Sequence, residues 1–189
     1  VIGLVIVSSP AFATRARLES LGESKNGSLY VNDINNVYYN PAFINEFKKK
    51  LVLENGNADF TAADSTTATG ARPQGLYTNT FGDFAYGISL GHKDDRIVGT
   101  GALAGGTFLQ PDNALQLMFG GDAGVKWGGS LLYTGNYSAA FNTVTKSSTF
   151  FGLNFGVIAG QLNAFADVLI IGKAKGGAAE TDELKGKVG

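Results

Sequence analysis

From Phe47 onward, apolar side chains alternate with small or polar ones, in segments of about eight to twelve residues separated by Gly, Asn and Asp clusters. The clearest segment is Asp83–His92. Phe84, Tyr86, Ile88 and Leu90 fall on one face there, and Ala85, Gly87, Ser89 and Gly91 on the other. In Gly124–Thr134, Val125, Trp127, Leu131 and Tyr133 oppose Lys126, Gly128, Ser130 and Thr134, with Leu132 out of phase. In Thr149–Ala159, Phe151, Leu153, Phe155 and Val157 oppose Gly152, Asn154 and Gly156. Leu115, Leu117 and Phe119 make a shorter version. Lys48–Glu54, Ala58–Ala63, Gln74–Thr80 and Gly99–Leu109 are fainter strand candidates, and across Leu162–Gly172 both faces are apolar. A side-chain period of two is the signature of a strand with two unlike faces.

The composition of the second face decides between architectures. A soluble sandwich buries its apolar face and solvates the other with Lys, Glu, Thr and Arg. Here the second face is mainly Gly, Ala, Ser and Asn, which suits an enclosed lumen. The expected fold is therefore all-β: an antiparallel transmembrane β-barrel, incomplete over these residues, preceded by an irregular N-terminal segment. A soluble β-sandwich or an exported β-solenoid is the alternative. Phe84, Trp127, Tyr133 and Phe151 are expected near strand ends, at the membrane interfaces. Pro111-Asp112-Asn113 is expected to be a tight turn on the short-turn side, and His92–Arg96 and Thr134–Ser148 surface loops.

The start of the chain reads as an address. Val1–Val7 is a short apolar run, followed by Ser8-Ser9-Pro10 and by Ala11-Phe12-Ala13, a small-x-small cleavage site that would leave Thr14 first. A membrane helix needs about 20 apolar residues, more than this run holds. No Met or basic leader precedes Val1, and no closing strand with a terminal aromatic follows Gly176–Lys187, so both ends are expected to be cut. The expected organisation is a partial signal peptide at 1–13, an extended plug-like segment at 14–45 with short strands near Leu29–Val31 and Val37–Tyr39, and barrel strands over 46–189.

Composition narrows the function. Fifteen basic and 16 acidic residues give a net charge of −1 in 189 residues, which makes no electrostatic case for nucleic acid. Charged residues are 16%, against about 25% in ordinary soluble domains. The absence of Cys removes disulfides and thiolate metal sites.

One stretch carries a resemblance. Arg15, Arg17 and Leu21-Gly22 are followed by Gly27-Ser28-Leu29-Tyr30-Val31-Asn32-Asp33 and then by Asn36-Val37-Tyr38-Tyr39-Asn40-Pro41-Ala42. This resembles the opening of the outer-membrane barrels related to long-chain fatty-acid channels. It is similar, more closely still, to uncharacterised barrels of predatory and other delta-type proteobacteria. The resemblance implies an N-terminal segment tucked into the lumen, with Asp33, Asn40, Pro41 and Ala42 as its plug or turn motif. It departs from the family at Leu18–Lys25 and at Phe43-Ile44-Asn45, which leaves the solute class open. On physical grounds alone, Asn before Pro is driven out of the helical region and can cap its own turn, Pro41 fixes φ, and Ala42 permits close wall contact. A turn that starts the first strand is an equally good reading of those residues.

Other motifs read blandly. Ile97–Gly105 is Gly-rich like a dinucleotide turn, but Thr107-Phe108-Leu109 and Pro111 follow where a helix is required. His92 is the single His and reads as a strand-end or loop side chain. Asp33, Asn35 and Asn36 lack the Gly and distal Glu of a calcium loop. Lys48-Lys49-Lys50 reads as a solvated strand start. The expectation is a non-enzymatic, cofactor-free and metal-free outer-membrane protein. Its expected partners are outer-membrane lipid, the barrel-assembly machinery and small or hydrophobic solutes. It would act as a porin-like or hydrophobic-solute channel partly occluded by its N-terminal segment. The alternative is a structural barrel with a filled lumen and partner-binding loops.

Overall fold

The computed structural model describes residues 17–18, 20–23, 27–28, 30–56, 72–92, 114–139, 145–176, 179–182 and 186–188. Their strands form one antiparallel sheet: β1 (Lys50–Gly56), β2 (Arg72–Phe81), β3 (Phe84–Leu90), β4 (Leu115–Asp122), β5 (Lys126–Ala139), β6 (Thr145–Ala159), β7 (Leu162–Gly176), β8 (Ala179–Asp182) and β9 (Gly186–Val188). Each strand from β1 to β8 pairs with the next in sequence. β8 and β9 both pair with β7, at Lys173–Gly176 and Ala166–Val168, and so behave as one interrupted last strand. Among the described residues β1 and β8 end the strand order, and the sheet is open. Among the described residues the fold is all-β, as the alternation requires, apart from helical residues at Arg17, Leu18 and Ser20, an α-helical turn, α1 (Asn36–Tyr39), and a 3-10 helix (Pro41–Asn45).

The connections divide between the two ends of the sheet. β2–β3, β4–β5 and β6–β7 turn tightly, through Gly82-Asp83, Ala123–Val125 and Gly160-Gln161. Gly82, Gly124 and Gly160 take φ of 59°, 84° and 60°, the left-handed region that lets an antiparallel pair reverse in a few residues. β1 and β2 are separated in sequence by 15 residues, β3 and β4 by 24, and β5 and β6 by five, and their antiparallel pairing puts these strand ends at the opposite end of the sheet.

The blurred pattern of β7 has a local cause. Phe151 pairs with Ile171 and Gly152 with Leu169, so Ile170 is an extra residue, a β-bulge. The bulge shifts the alternation by one. Phe165 and Leu169 are buried on one side of the shift, while Ile170 and Ile171 are exposed in succession.

Several sequence expectations need correction. Of the expected surface loop Thr134–Ser148, Thr134–Ala139 and Thr145–Ser148 are strand: β5 and β6 pair there from Gly135↔Thr149 to Ala139↔Thr145. Tyr133 and Phe151, which face each other, consequently lie within their strands and not near the ends. Val37–Tyr39 is helical and Tyr30-Val31 a bend, because Ser28, Asp33 and Asn36 satisfy nearby backbone groups and leave nothing for a ladder. Asn40-Pro41-Ala42 opens a 3-10 helix; the first strand starts later, at Lys50. The expected turn Pro111–Asn113, the candidates Ala58–Ala63 and Gly99–Leu109, the glycine-rich run Ile97–Gly105, and Ala11 and Ala13 of the cleavage site lie outside the described residues.

Candidate functional site

The two faces of the sheet are exposed in the reverse of the usual sense. On one face Phe84, Leu90 and Tyr133 are 57%, 58% and 52% exposed. On the other Ser89, Gln116 and Asn154 are 0%, 1% and 3% exposed. In water the large apolar side chains would be the buried ones. The covered face is here called the inner face, and its cover is the N-terminal segment. Ile34, Val37, Tyr38 and Ile44 pack with Leu76, Ala85 and Met118 of β2–β4, flanked by Phe43, Phe47 and Val52.

The segment fits the wall along a row of small residues. Ala85 stands opposite Gly120, Gly120 opposite Gly128, and Gly128 opposite Gly156, on four consecutive strands β3–β6. The Asn40-Pro41-Ala42 turn and Ile44 lie on this row. A Cβ placed on Gly128 would stand 2.6 Å from the Ala42 nitrogen and closer still to the Pro41 carbonyl; one on Gly156 would stand 2.5 Å from Asn40 Cγ; one on Gly120, 2.8 Å from Ile44 Cγ2. At Gly128 backbone thus meets backbone, and at Gly156 and Gly120 side chains of the segment fill the space a Cβ would take, an approach that glycine allows.

Polar contacts fix the turn where sterics admit it. Asn40 caps the 3-10 helix, its Oδ1 accepting from the Ala42 N–H at 2.9 Å. Its Nδ2 donates to Asn163 Oδ1 at 2.6 Å and lies near the Val157 and Ala164 carbonyls of β6 and β7. Asn45 Nδ2 spans from the Ala42 carbonyl to the Trp127 carbonyl, 3.0 Å to each. From the wall, Asn154 Nδ2 donates to the Tyr39 carbonyl at 3.1 Å and reaches Tyr38 O at 3.4 Å. Tyr38 OH and Ser89 Oγ are 2.8 Å apart. The asparagines that read as loop composition are therefore the pins of the joint.

His92, expected as a strand-end or loop side chain, follows the end of β3 and is 3% exposed. Its ring stacks on Tyr38 with centroids 3.5 Å apart and planes 2° from parallel, and its Nδ1 is 3.4 Å from Gln74 Oε1. Gln74 Nε2 donates to Glu54 Oε2 at 2.6 Å. Because that bond commits Gln74 nitrogen to the carboxylate, the amide oxygen is left to accept from the imidazole. At the short-turn end Lys126 Nζ pairs with Glu46 Oε1 at 2.7 Å. Lys49 takes φ 57° in the turn before β1, where Lys48–Lys50 stand.

Asp33 stands apart from the wall row. Its carboxylate is buried, accepts from the Asn35 N–H at 3.0 Å and lies 3.4 Å from Arg17 Nη1. Burial pushes its pKa above the ordinary value, outweighing the Asn35 N–H and Arg17, which lower it; Glu54 adds to the rise.

The structure thus brings Asn40, Pro41 and Ala42 together on the wall and places Asp33 in a separate knot. Sequence reading missed Tyr38, His92, Asn45 and Asn154, and the glycine row. The row was discoverable by hairpin arithmetic: Gly120 and Gly128 are equidistant from Gly124. Among the described residues no group of three His, Asp or Glu side chains could hold a metal ion, and no helix is long and apolar enough to cross a membrane. Compared with family models, with curated proteins and with solved structures, the chain finds no match in any of the three.

Proposed function

We propose that this chain is the wall and plug of an outer-membrane β-barrel channel, in which the segment up to Asn45 occupies the lumen and limits passage. The observation that carries this reading is the inverted burial. A face bearing Phe84, Tyr86, Ile88, Leu90, Leu117, Phe119, Trp127, Leu131 and Tyr133 is open to its surroundings. Such a continuous apolar surface is tolerated against lipid and not against water. Two further features agree with it. The turns of two or three residues gather at one end and the separations of 15, 24 and five residues at the other, the asymmetry of periplasmic turns and extracellular loops. Phe84, Phe119 and Trp127 meet edge-to-face at the short-turn end, where aromatic rings settle at an interface.

Apolar outward positions extend over the paired levels from Trp127 to Tyr133, about 20 Å along the strand at roughly 3.4 Å per residue. The single Trp reports directly on what this face touches. In liposomes of brominated phospholipid, Trp127 fluorescence should be strongly quenched. Full fluorescence there, with a folded and monodisperse protein in detergent-free buffer, refutes the membrane reading. Planar-bilayer conductance then addresses the channel: ion current should rise when residues 14–42 are deleted.

A second reading, a non-transporting barrel, is favoured by one observation, the close fit of Asn40-Pro41-Ala42 on the wall, main chain against Gly128 and the Asn40 and Pro41 side chains against Gly156. A joint that tight suits a permanent filling. A barrel without conductance even after the deletion decides for it.

A further inference from the structure

The amides of the joint share a habit. Asn154 turns its NH2 toward the carbonyls of Tyr38 and Tyr39, which can only accept. That orientation leaves Asn154 Oδ1 buried and without a hydrogen-bond partner. Gln116 behaves alike: its Nε2 donates to Ser130 Oγ at 2.9 Å, and its buried Oε1 has no partner. The two lie close together on the sheet. Ser130 of β5 stands directly opposite Asn154 of β6, and Gln116 reaches the same Ser130 from β4. Two orphaned carbonyl oxygens therefore flank one hydroxyl, beneath the Tyr38-Tyr39 backbone. A buried amide oxygen left unpaired costs about 1–3 kcal/mol, and native proteins rarely leave two side by side without an occupant.

We propose that this seam between the N-terminal segment and strands β4–β6 is a binding site for an uncharged hydroxyl-rich solute of the polyol or sugar class. The proposal rests on the channel reading and specifies what the channel takes. Both vacant groups are acceptors, so the ligand must bring donors, and hydroxyls bring them without a charge to desolvate. A carboxylate brings only acceptors, which the two orphaned amide oxygens cannot meet. The site therefore discriminates against fatty acids and other alkanoates.

The test uses the full chain in proteoliposomes, with erythritol and the similarly sized anion butyrate as probes and potassium chloride conductance as the control. Erythritol flux should saturate with concentration and exceed butyrate flux by about tenfold, the difference made by one or two hydrogen bonds. Gln116→Met keeps the volume and removes the acceptor; it should lower erythritol flux about fivefold while leaving conductance unchanged. Gln116→Glu retains the acceptors and adds a charge, so erythritol should still pass and butyrate should be further excluded. This second variant keeps the test alive if the first does not fold. Equal passage of both probes through a conducting channel, or unchanged erythritol flux in a folded Gln116→Met protein, overturns this inference alone. A barrel closed to ions and to both solutes overturns the channel reading and the inference with it.

Discussion

Replacing Gly128 by Val tests the joint at its tightest point. The added Cβ would meet the Pro41 carbonyl and the Ala42 nitrogen, both main-chain atoms, so no flexible side chain can move aside. Overpacking costs about 1–3 kcal/mol even where side chains can adjust. The alternative is for the turn to lift away. Doing so gives up the Asn40 hydrogen bonds to β6–β7, about 1 kcal/mol each for two, and the burial of Ile44, about 2 kcal/mol. The row thus contributes about 4 kcal/mol to docking, and the substitution should cancel roughly 3 of it, lowering the docked-to-lifted ratio about a hundredfold. The chain has no Cys, so Ile44→Cys supplies a single reporter at a position now 0% exposed. That background already lacks the Ile44 burial, so about 2 kcal/mol of the row's docking remains, and Gly128→Val should speed maleimide labelling about thirtyfold and raise bilayer conductance, the reaction tracking the lifted population. Gly152→Ala is the internal control: it lies on the same face, but its Cβ would meet nothing closer than 3.4 Å, and labelling should not change. The reasoning fails if a folded Gly128→Val protein labels as slowly as its parent.

Three further outcomes follow from the same geometry. Asn40→Ala removes the cap and the bonds to Asn163 and the wall, and should weaken docking by about 2–3 kcal/mol, read as faster labelling of the Ile44→Cys reporter. Tyr38→Phe strips the hydroxyl from Ser89 and should lower the midpoint of thermal unfolding in detergent, a loss of about 1–2 kcal/mol, with the His92 stack retained. For Asp33 the docked carboxyl binds its proton more tightly than the free one, so its contribution to docking is fully present below the ordinary carboxylate pKa and is lost as pH rises through the raised value. Labelling of the reporter should accordingly slow as pH falls through that window, and Asp33→Asn should flatten the dependence; a steeper profile in the variant contradicts the assignment.

Strand alternation was legible because it is a local property: Phe84 to Leu90 must share a face in any extended chain, and Gly and Asn clusters must break it. β3 stands within a residue or two of where the pattern puts it and β4 starts where the pattern does, running on to Asp122, whereas the polar composition of Thr134–Ser148 mimics a loop. Ladder hydrogen bonds between β5 and β6 make its two ends strand, and they depend on the partner rather than on the segment. Likewise Ile170 could not be recognised as a bulge without β6 beside it.

The covered face shows the same division. Sequence alone determined that one side of each strand is large and apolar and the other small and polar, since side-chain parity needs no neighbour. Only the tertiary structure decided which residues meet across that small side. Register aligned Gly120, Gly128 and Gly156 into one row, and a turn distant in sequence came to lie on it. Contacts such as Asn40–Asn163 and Tyr38–Ser89 join positions whose separation along the chain carries no periodic signal, so packing and backbone hydrogen bonding had to bring them together.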